Sequence, residues 1–177
     1  MPCEPWSWAN KMNLPKRKPN RLAGFEYSTP GAYFITICVE GKRCILSSIV
    51  GGGAFDAPQT RLTPLGKIAE KHIVSGNRIP NVCVEKYVIM PNHIHLLLTV
   101  CEPDFSGPSR APAPTNAAIP HFVATFKRFC HKEAGEKIFQ RSYHDHVIRD
   151  QRDYDKIWQY IDNNPLRWKE DCFYEEE

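Results

Sequence analysis

VCVEKYVIMPNHIHLLLTV, residues 82–100, is the stretch on which the fold turns. Two runs rich in β-branched, aliphatic and aromatic residues flank Pro91-Asn92, a tight-turn pair. The stretch therefore predicts two strands, 82–90 and 93–100, joined by a short turn. On a strand successive side chains alternate faces. Ile94, Leu96 and Leu98 thus share one face, and His93 and His95 project together from the other. Two readings fit that pair. Each histidine can be a hydrogen-bonded structural residue, or both can hold one divalent ion, since neutral imidazoles about 7 Å apart along a strand can converge on it. Two nitrogens do not finish a site for a hard cation, which also takes oxygen.

Working outward, AYFITICVE (32–40) follows Pro30-Gly31 and reads as a strand, and GGGAFDAPQ (51–59) as a loop or loose hairpin. The glycines there lack the spacing and the Lys-Ser/Thr ending of a phosphate-cradling loop. TPLGKIAEKHIVSG (63–76) predicts a helix. Thr63 can cap it, Pro64 suits its first turn, Leu65, Ile68, Ala69 and His72 recur at helical spacing, and Gly76 can end it. EPDFSGPSRAPAPTNA (102–117) is a proline-rich connector. IPHFVATFKRFCHKEAG (119–135) places Phe122, Phe126, Phe129 and Cys130 at helical spacing with a basic flank of Lys127, Arg128, His131 and Lys132. A short strand is expected within 138–150 and a last helix over 153–164, stopped by Pro165. The order β-α-β-β-α-β predicts a ferredoxin-like α+β domain with an antiparallel sheet, followed by one extra C-terminal helix.

The composition agrees with a globular domain. The 177 residues are 42% hydrophobic, enough to bury a core, and no apolar run reaches the roughly 20 residues of a membrane span. The start MPCEPWSWANK lacks a basic-then-apolar signal pattern, so a cytoplasmic location is expected. The 7 cysteines contain no C-x-x-C pair, which argues against a disulfide framework or a zinc module. Charge is unevenly spread. Lys11, Lys16, Arg17, Lys18 and Arg21 lie in one segment without an acid, whereas Glu170, Asp171 and Glu175–Glu177 lie in another without a base. The division expected is a basic, Trp-containing arm (1–30), one domain (31–170) and an acidic tail (171–177). The arm could hold phosphates while Trp6 and Trp8 stack on bases, or be a solvated leader.

Counting 100° per residue along the last helix, Tyr154, Ile157, Trp158 and Ile161 fall at about 0°, 300°, 40° and 340°. They make one stripe, expected to pack on the sheet. Tyr160, at about 240°, lies off it, with Asn164 beside it one turn later if the helix extends so far. Pro165 biases Asn164 away from helical geometry. Tyr160 can be a half-buried helix residue or a group available for chemistry.

YVIMPNHIHLLL, then FQRSYHDHVIRD, then YIDNNPLRW, in that order and spacing, resemble the REP-associated branch of the single-tyrosine HUH transposases. The likeness runs from about residue 21 to 171. It implies that His93 and His95 bind a divalent metal, Mg²⁺ or Mn²⁺, and that Tyr160 on the C-terminal helix is the nucleophile. Asn164, at the position where relatives place a polar group, would complete the metal site. The implied reaction is cleavage and rejoining of single-stranded, hairpin-forming DNA through a 5′-phosphotyrosine, in the bacterial cytoplasm, by a monomer or homodimer. Lys16, Arg17, Lys18, Arg21, Lys127, Arg128, Arg141 and Arg149 are candidate DNA contacts; structural salt bridges would account for them equally well. His144 and His146 form a second H-x-H that competes for a metal. Two other readings stand beside this one: a domesticated module that binds hairpin DNA or RNA without cutting, and a hydrolase in which metal-bound water attacks.

Overall fold

The structure is a computed structural model describing residues 29–51, 57–102 and 118–174. Its main sheet contains β1 (Gly31–Cys38), β4 (Val82–Ile89), β5 (His93–Val100) and β6 (His144–Ile148), in the order β4-β5-β1-β6 with every neighbouring pair antiparallel. Helices α1 (Pro64–Ser75) and α2 (Ala118–Ala134) connect them, and α3 (Gln151–Asn163) follows β6. This is the expected α+β, ferredoxin-like arrangement. A two-stranded ribbon, β2 (Ser47–Val50) with β3 (Gln59–Leu62), brackets the stretch 51–59 predicted as a loop or loose hairpin, and forms a sheet of its own. The strand expected within 138–150 is shorter: Phe139 makes an isolated bridge to Val39, and regular pairing begins only at His144. Most of the proline-rich connector, the basic arm and Glu175–Glu177 lie outside the described residues.

Alternation divides the sheet into two chemically different faces. Tyr33, Ile35 and Ile37 of β1 join Ile94, Leu96 and Leu98 of β5 in the core, closed by Ala69 and Ile73 of α1 and Phe122, Phe126 and Cys130 of α2. The opposite residues, Phe34 and Thr36 of β1 and His93 and His95 of β5, face α3. A bulge between Val84 and Lys86 changes the phase of β4. Val84 points toward the core, but so does Tyr87 after the extra residue, and Lys86 is thereby turned to the α3 side.

Local chemistry explains the helix limits. The Thr63 hydroxyl accepts the Gly66 amide at 3.1 Å, the predicted N-cap, and Pro64 occupies the first turn. Gly76 ends α1 in ordinary right-handed geometry (φ −60°), so its need for glycine is space: a Cβ there would lie 2.4 Å from the Phe122 ring. Gly66 is tighter. A Cβ would fall 2.0 Å from the Leu46 carbonyl oxygen, a backbone atom whose group already accepts the Thr63 amide. Overpacking costs typically about 1–3 kcal/mol, and Gly66→Ala should reach the upper end because a hydrogen-bonded backbone must shift. Urea unfolding checks this; an unchanged midpoint would show that the contact relaxes freely.

Two sequence expectations are corrected. The stripe Tyr154–Ile157–Trp158–Ile161 is not a buried seam: Ile161 is buried, Tyr154 and Ile157 are half-buried, and Trp158 is exposed. Helix α3 has the sheet on one side and solvent on the other. Lys127 is not on a basic flank for DNA. It is buried, and its Nζ donates to the carbonyls of Gln140, Arg141 and Ser142, holding the segment that leads into β6. Burial lowers its ammonium to about 8, while three carbonyl acceptors favour the charged form.

Candidate metal and tyrosine site

The tight turn before β5 supplies more than a reversal. Asn92 is buried, and its amide nitrogen donates to the carbonyls of Phe173 (2.7 Å) and Lys42 (3.3 Å). Those two acceptors fix the amide orientation, so Asn92 Oδ1 faces His93 Nδ1 at 2.9 Å. A carbonyl-type oxygen only accepts, so His93 Nδ1 carries the proton and Nε2 presents a lone pair. Across the gap His95 Nε2 lies 3.0 Å from His93 Nε2, and His95 Nδ1 lies 2.9 Å from the Thr36 hydroxyl. That hydroxyl can donate or accept. With the proton on Nε2, His95 donates to His93; with the proton on Nδ1, it donates to Thr36 and both Nε2 lone pairs converge on one point. Such second partners are what orient metal-ligating histidines.

A third ligand comes from a segment with no strand or helix periodicity. After α3 the chain makes a 3-10 turn, Pro165–Glu170, and returns Asp171 to the histidines. Asp171 Oδ2 lies 3.9 Å from His93 Nε2, and one ligand atom each from His93, His95 and Asp171 all fall within 4.8 Å of one another. The Asp171 side chain is 3% exposed. Asn164 is buried and helical despite Pro165 (φ −60°, ψ −42°); its Nδ2 donates to Asp171 Oδ2 at 3.2 Å. Its Oδ1 is buried with no hydrogen-bond partner among the described residues, an orphaned acceptor beside the carboxylate. Two neutral imidazoles, a carboxylate and a spare amide oxygen are a donor set that suits a divalent cation.

Tyr160 reaches the same point from α3 of its own chain. Its Oη is 3.3 Å from His95 Nε2 and 3.5 Å from Asp171 Oδ2, and its ring meets Phe34 edge-on at 5.8 Å. Phe34 in turn stacks on His95. Phe173 and Trp168 lie against His93, at 4.7 and 5.9 Å between ring centroids, whereas Tyr160 is 40% exposed.

Burial sets the charge states. His93 is pushed down to about 4, opposed by the nearby Asp171 carboxylate, and His95 well below its ordinary value by burial and then by His93. Both imidazoles are neutral at pH 7, so no proton need be displaced before a cation binds. Tyr160 is pushed up to about 12, first by burial and then by Asp171. Below the ordinary imidazole value of about 6.5 the unfolded chain takes up protons that the folded chain refuses until about pH 4, so stability falls as pH falls through that interval. Urea midpoints of metal-free protein between pH 7 and 4 should decline, and His93→Gln should flatten the decline; parallel curves for the two proteins would contradict this origin.

The other site expectations have different placements. Arg141 and Arg149 are exposed. Arg128 is exposed too, above the Phe129 ring at 5.0 Å, on the helical layer opposite the histidines. Lys16, Arg17, Lys18 and Arg21 lie outside the described residues. His146 pairs with Asp153 at 2.8 Å, which gives the second H-x-H a structural partner. Asp171, Thr36 and Asn92 were missed by sequence reasoning. Asn92 carried a signal, as a polar residue next to a candidate ligand; Asp171 was masked by the surrounding acids.

No protein-family profile matches the chain. It is 30% identical over 174 residues to an uncharacterized protein of Haemophilus influenzae, covering 89% of this chain and 93% of that one. Among solved structures it is similar to a REP-associated tyrosine transposase bound to a REP hairpin, with a TM-score of 0.55 and 21% identity over 78% of this chain and 68% of the other.

Proposed function

Since the chain belongs to one family with the Haemophilus influenzae protein and has a REP-associated tyrosine transposase-like fold, we propose that it cleaves and rejoins single-stranded, hairpin-forming DNA through Tyr160. One observation carries the reading: the hydroxyl of a half-exposed tyrosine stands 3.3 Å from a histidine that shares a donor set with a second histidine and an aspartate. His93, His95 and Asp171 would hold a divalent cation, with the orphaned Asn164 Oδ1 available to it. Bound there, Mg²⁺ or Mn²⁺ would act as a Lewis acid on a nonbridging phosphate oxygen.

The protein's own groups do the rest. Thr36 and Asn92 hold the imidazoles in place, and Phe34 and α3 aim the Tyr160 hydroxyl. Attack forms an Oη–P bond and breaks the bond from phosphorus to the 3′ oxygen. The phenol loses a proton, and the departing 3′ oxygen gains one. The phosphotyrosine keeps the energy of the phosphodiester, so a 3′-OH can reverse the step without ATP. A phenol pushed up to about 12 stays protonated in the free protein, so the attack needs the cation or a neighbouring base to lower the cost of ionising it.

The test is a denaturing gel of protein with labelled single-stranded hairpin DNA and Mn²⁺ or Mg²⁺. A protein-linked band supports the tyrosine reaction. Cleavage to a free 5′-phosphate without a linked band would indicate attack by water, and tight binding with no cleavage would indicate a binding module.

A further inference from the structure

Helix α3 carries Tyr160, yet it buries little of itself. Ile161 is its buried apolar side chain and Asn164 its buried cap, while Trp158 and Tyr160 flank the contact on either side and are exposed. A helix seated on so narrow a line resists rotation about its own axis only through its flanks. On the Tyr160 flank the contacts are Phe34, His95 and Asp171, which belong to the proposed reacting site, and His146 of β6, which pairs with Asp153 in the first turn. On the other flank stands a charged residue, Lys86 of β4. Its Nζ lies 3.9 Å above the Trp158 ring and 2.7 Å from Asp162 Oδ1. Trp158 and Asp162 are four residues apart, neighbours on one ridge of the helix. The Lys86 side chain is 17% exposed, so its stem is packed between strand and helix.

The bulge in β4 is what makes this contact possible. Regular alternation from Val82 and Val84 would aim Lys86 into the apolar core beneath α1 and α2. The irregularity between Val84 and Lys86 reverses the phase, returns Tyr87 and Ile89 to that core and aims Lys86 at α3. An extra residue in one strand re-aims the side chains beyond it. Lysine combines the two requirements of this position: a long apolar stem to cross the strand–helix gap, and a cation that can meet an indole face and a carboxylate together.

We propose that Lys86 is a positioning residue for the tyrosine reaction, clamping the roll of α3 so that the Tyr160 hydroxyl stays beside His95. The inference rests on the proposed function for its catalytic consequence but not for its mechanical one. A misplacement of about 1 Å at a reacting atom can cost about 100-fold in rate.

The experiment has two arms. In DNA-free protein, hydrogen exchange of the α3 amides should be faster in Lys86→Ala than in wild type, while exchange in β1 and β5 is unchanged. Asp162→Asn should move the same way, and Lys86→Arg, which keeps a cation over the indole, should restore the wild-type rate. In the gel assay at saturating DNA, Lys86→Ala should lower the rate of adduct formation about 10–100-fold with the DNA dissociation constant unchanged, again recovered by Lys86→Arg. Unchanged α3 exchange in both Lys86→Ala and Asp162→Asn overturns the clamp. Weaker DNA binding with an undiminished rate overturns it too, because Lys86 would then be a phosphate contact. If wild type forms no adduct with any hairpin, the tyrosine reading falls, and the exchange arm still decides the clamp.

Discussion

Tyr160→Phe is expected to eliminate the covalent protein–DNA band and to lower strand cleavage by about 1,000-fold or more. Only the hydroxyl is removed. The ring that meets Phe34 edge-on and stands beside His95 stays, so α3 should remain seated and stability should change little. The lost atom lies 3.3 Å from His95 and 3.5 Å from Asp171, close to the proposed cation but with no hydrogen bond on which the fold depends. DNA affinity and Mn²⁺ affinity should therefore match wild type while chemistry stops. Binding isotherms beside the gel assay separate these quantities. Continued cleavage at the wild-type rate would remove Tyr160 from the reaction.

The second large effect concerns the cation. His95→Ala should reduce Mn²⁺ affinity by about 100-fold or more, and Asp171→Asn by about 10–100-fold, on the scale seen when a ligand or its orienting partner is lost. Calorimetry or Mn²⁺ resonance measures this without DNA. The two substitutions differ in kind. Alanine removes an imidazole that is 1% exposed and leaves a cavity between Thr36, Phe34 and His93, so a loss of stability accompanies the loss of affinity. Asparagine keeps the shape at 171 and an oxygen able to accept from Asn164, but removes the charge. Wild-type Mn²⁺ affinity in Asp171→Asn would leave Asp171 as a bystander and point to Asn164 Oδ1 as the oxygen ligand.

Strand alternation made much of the fold legible. One apolar face and one histidine face could be read from HIHLLL because the two-residue period of a strand is fixed by covalent geometry. Cap and turn residues placed α1 and the β4–β5 reversal within a residue or two. The strand within 138–150 was harder, because Phe139 pairs alone and Lys127 gathers the next three carbonyls instead of a neighbouring strand. Lys127 itself was misplaced because helical spacing describes directions around an axis, and does not say how far the layer above extends. The same gap hid the bulge in β4. A hydrophobic pattern with one residue too many looks like an ordinary strand until its partner is in place.

The sequence by itself determined that His93 and His95 point the same way, that Ile94, Leu96 and Leu98 point the other, and that Tyr160 stands off the apolar stripe of the last helix. Those are local facts, set by backbone period within a few residues. Only the tertiary structure decided that Asp171 joins the histidines, that Asn92 and Thr36 orient them, and that Lys86 reaches α3. Each of these rests on contacts between residues far apart along the chain: 78 positions for His93 and Asp171, and 81 for Asn92 and the Phe173 carbonyl that fixes its amide beside His93. Such a distance follows from how sheet, helix and terminal turn pack together, and no local period encodes it.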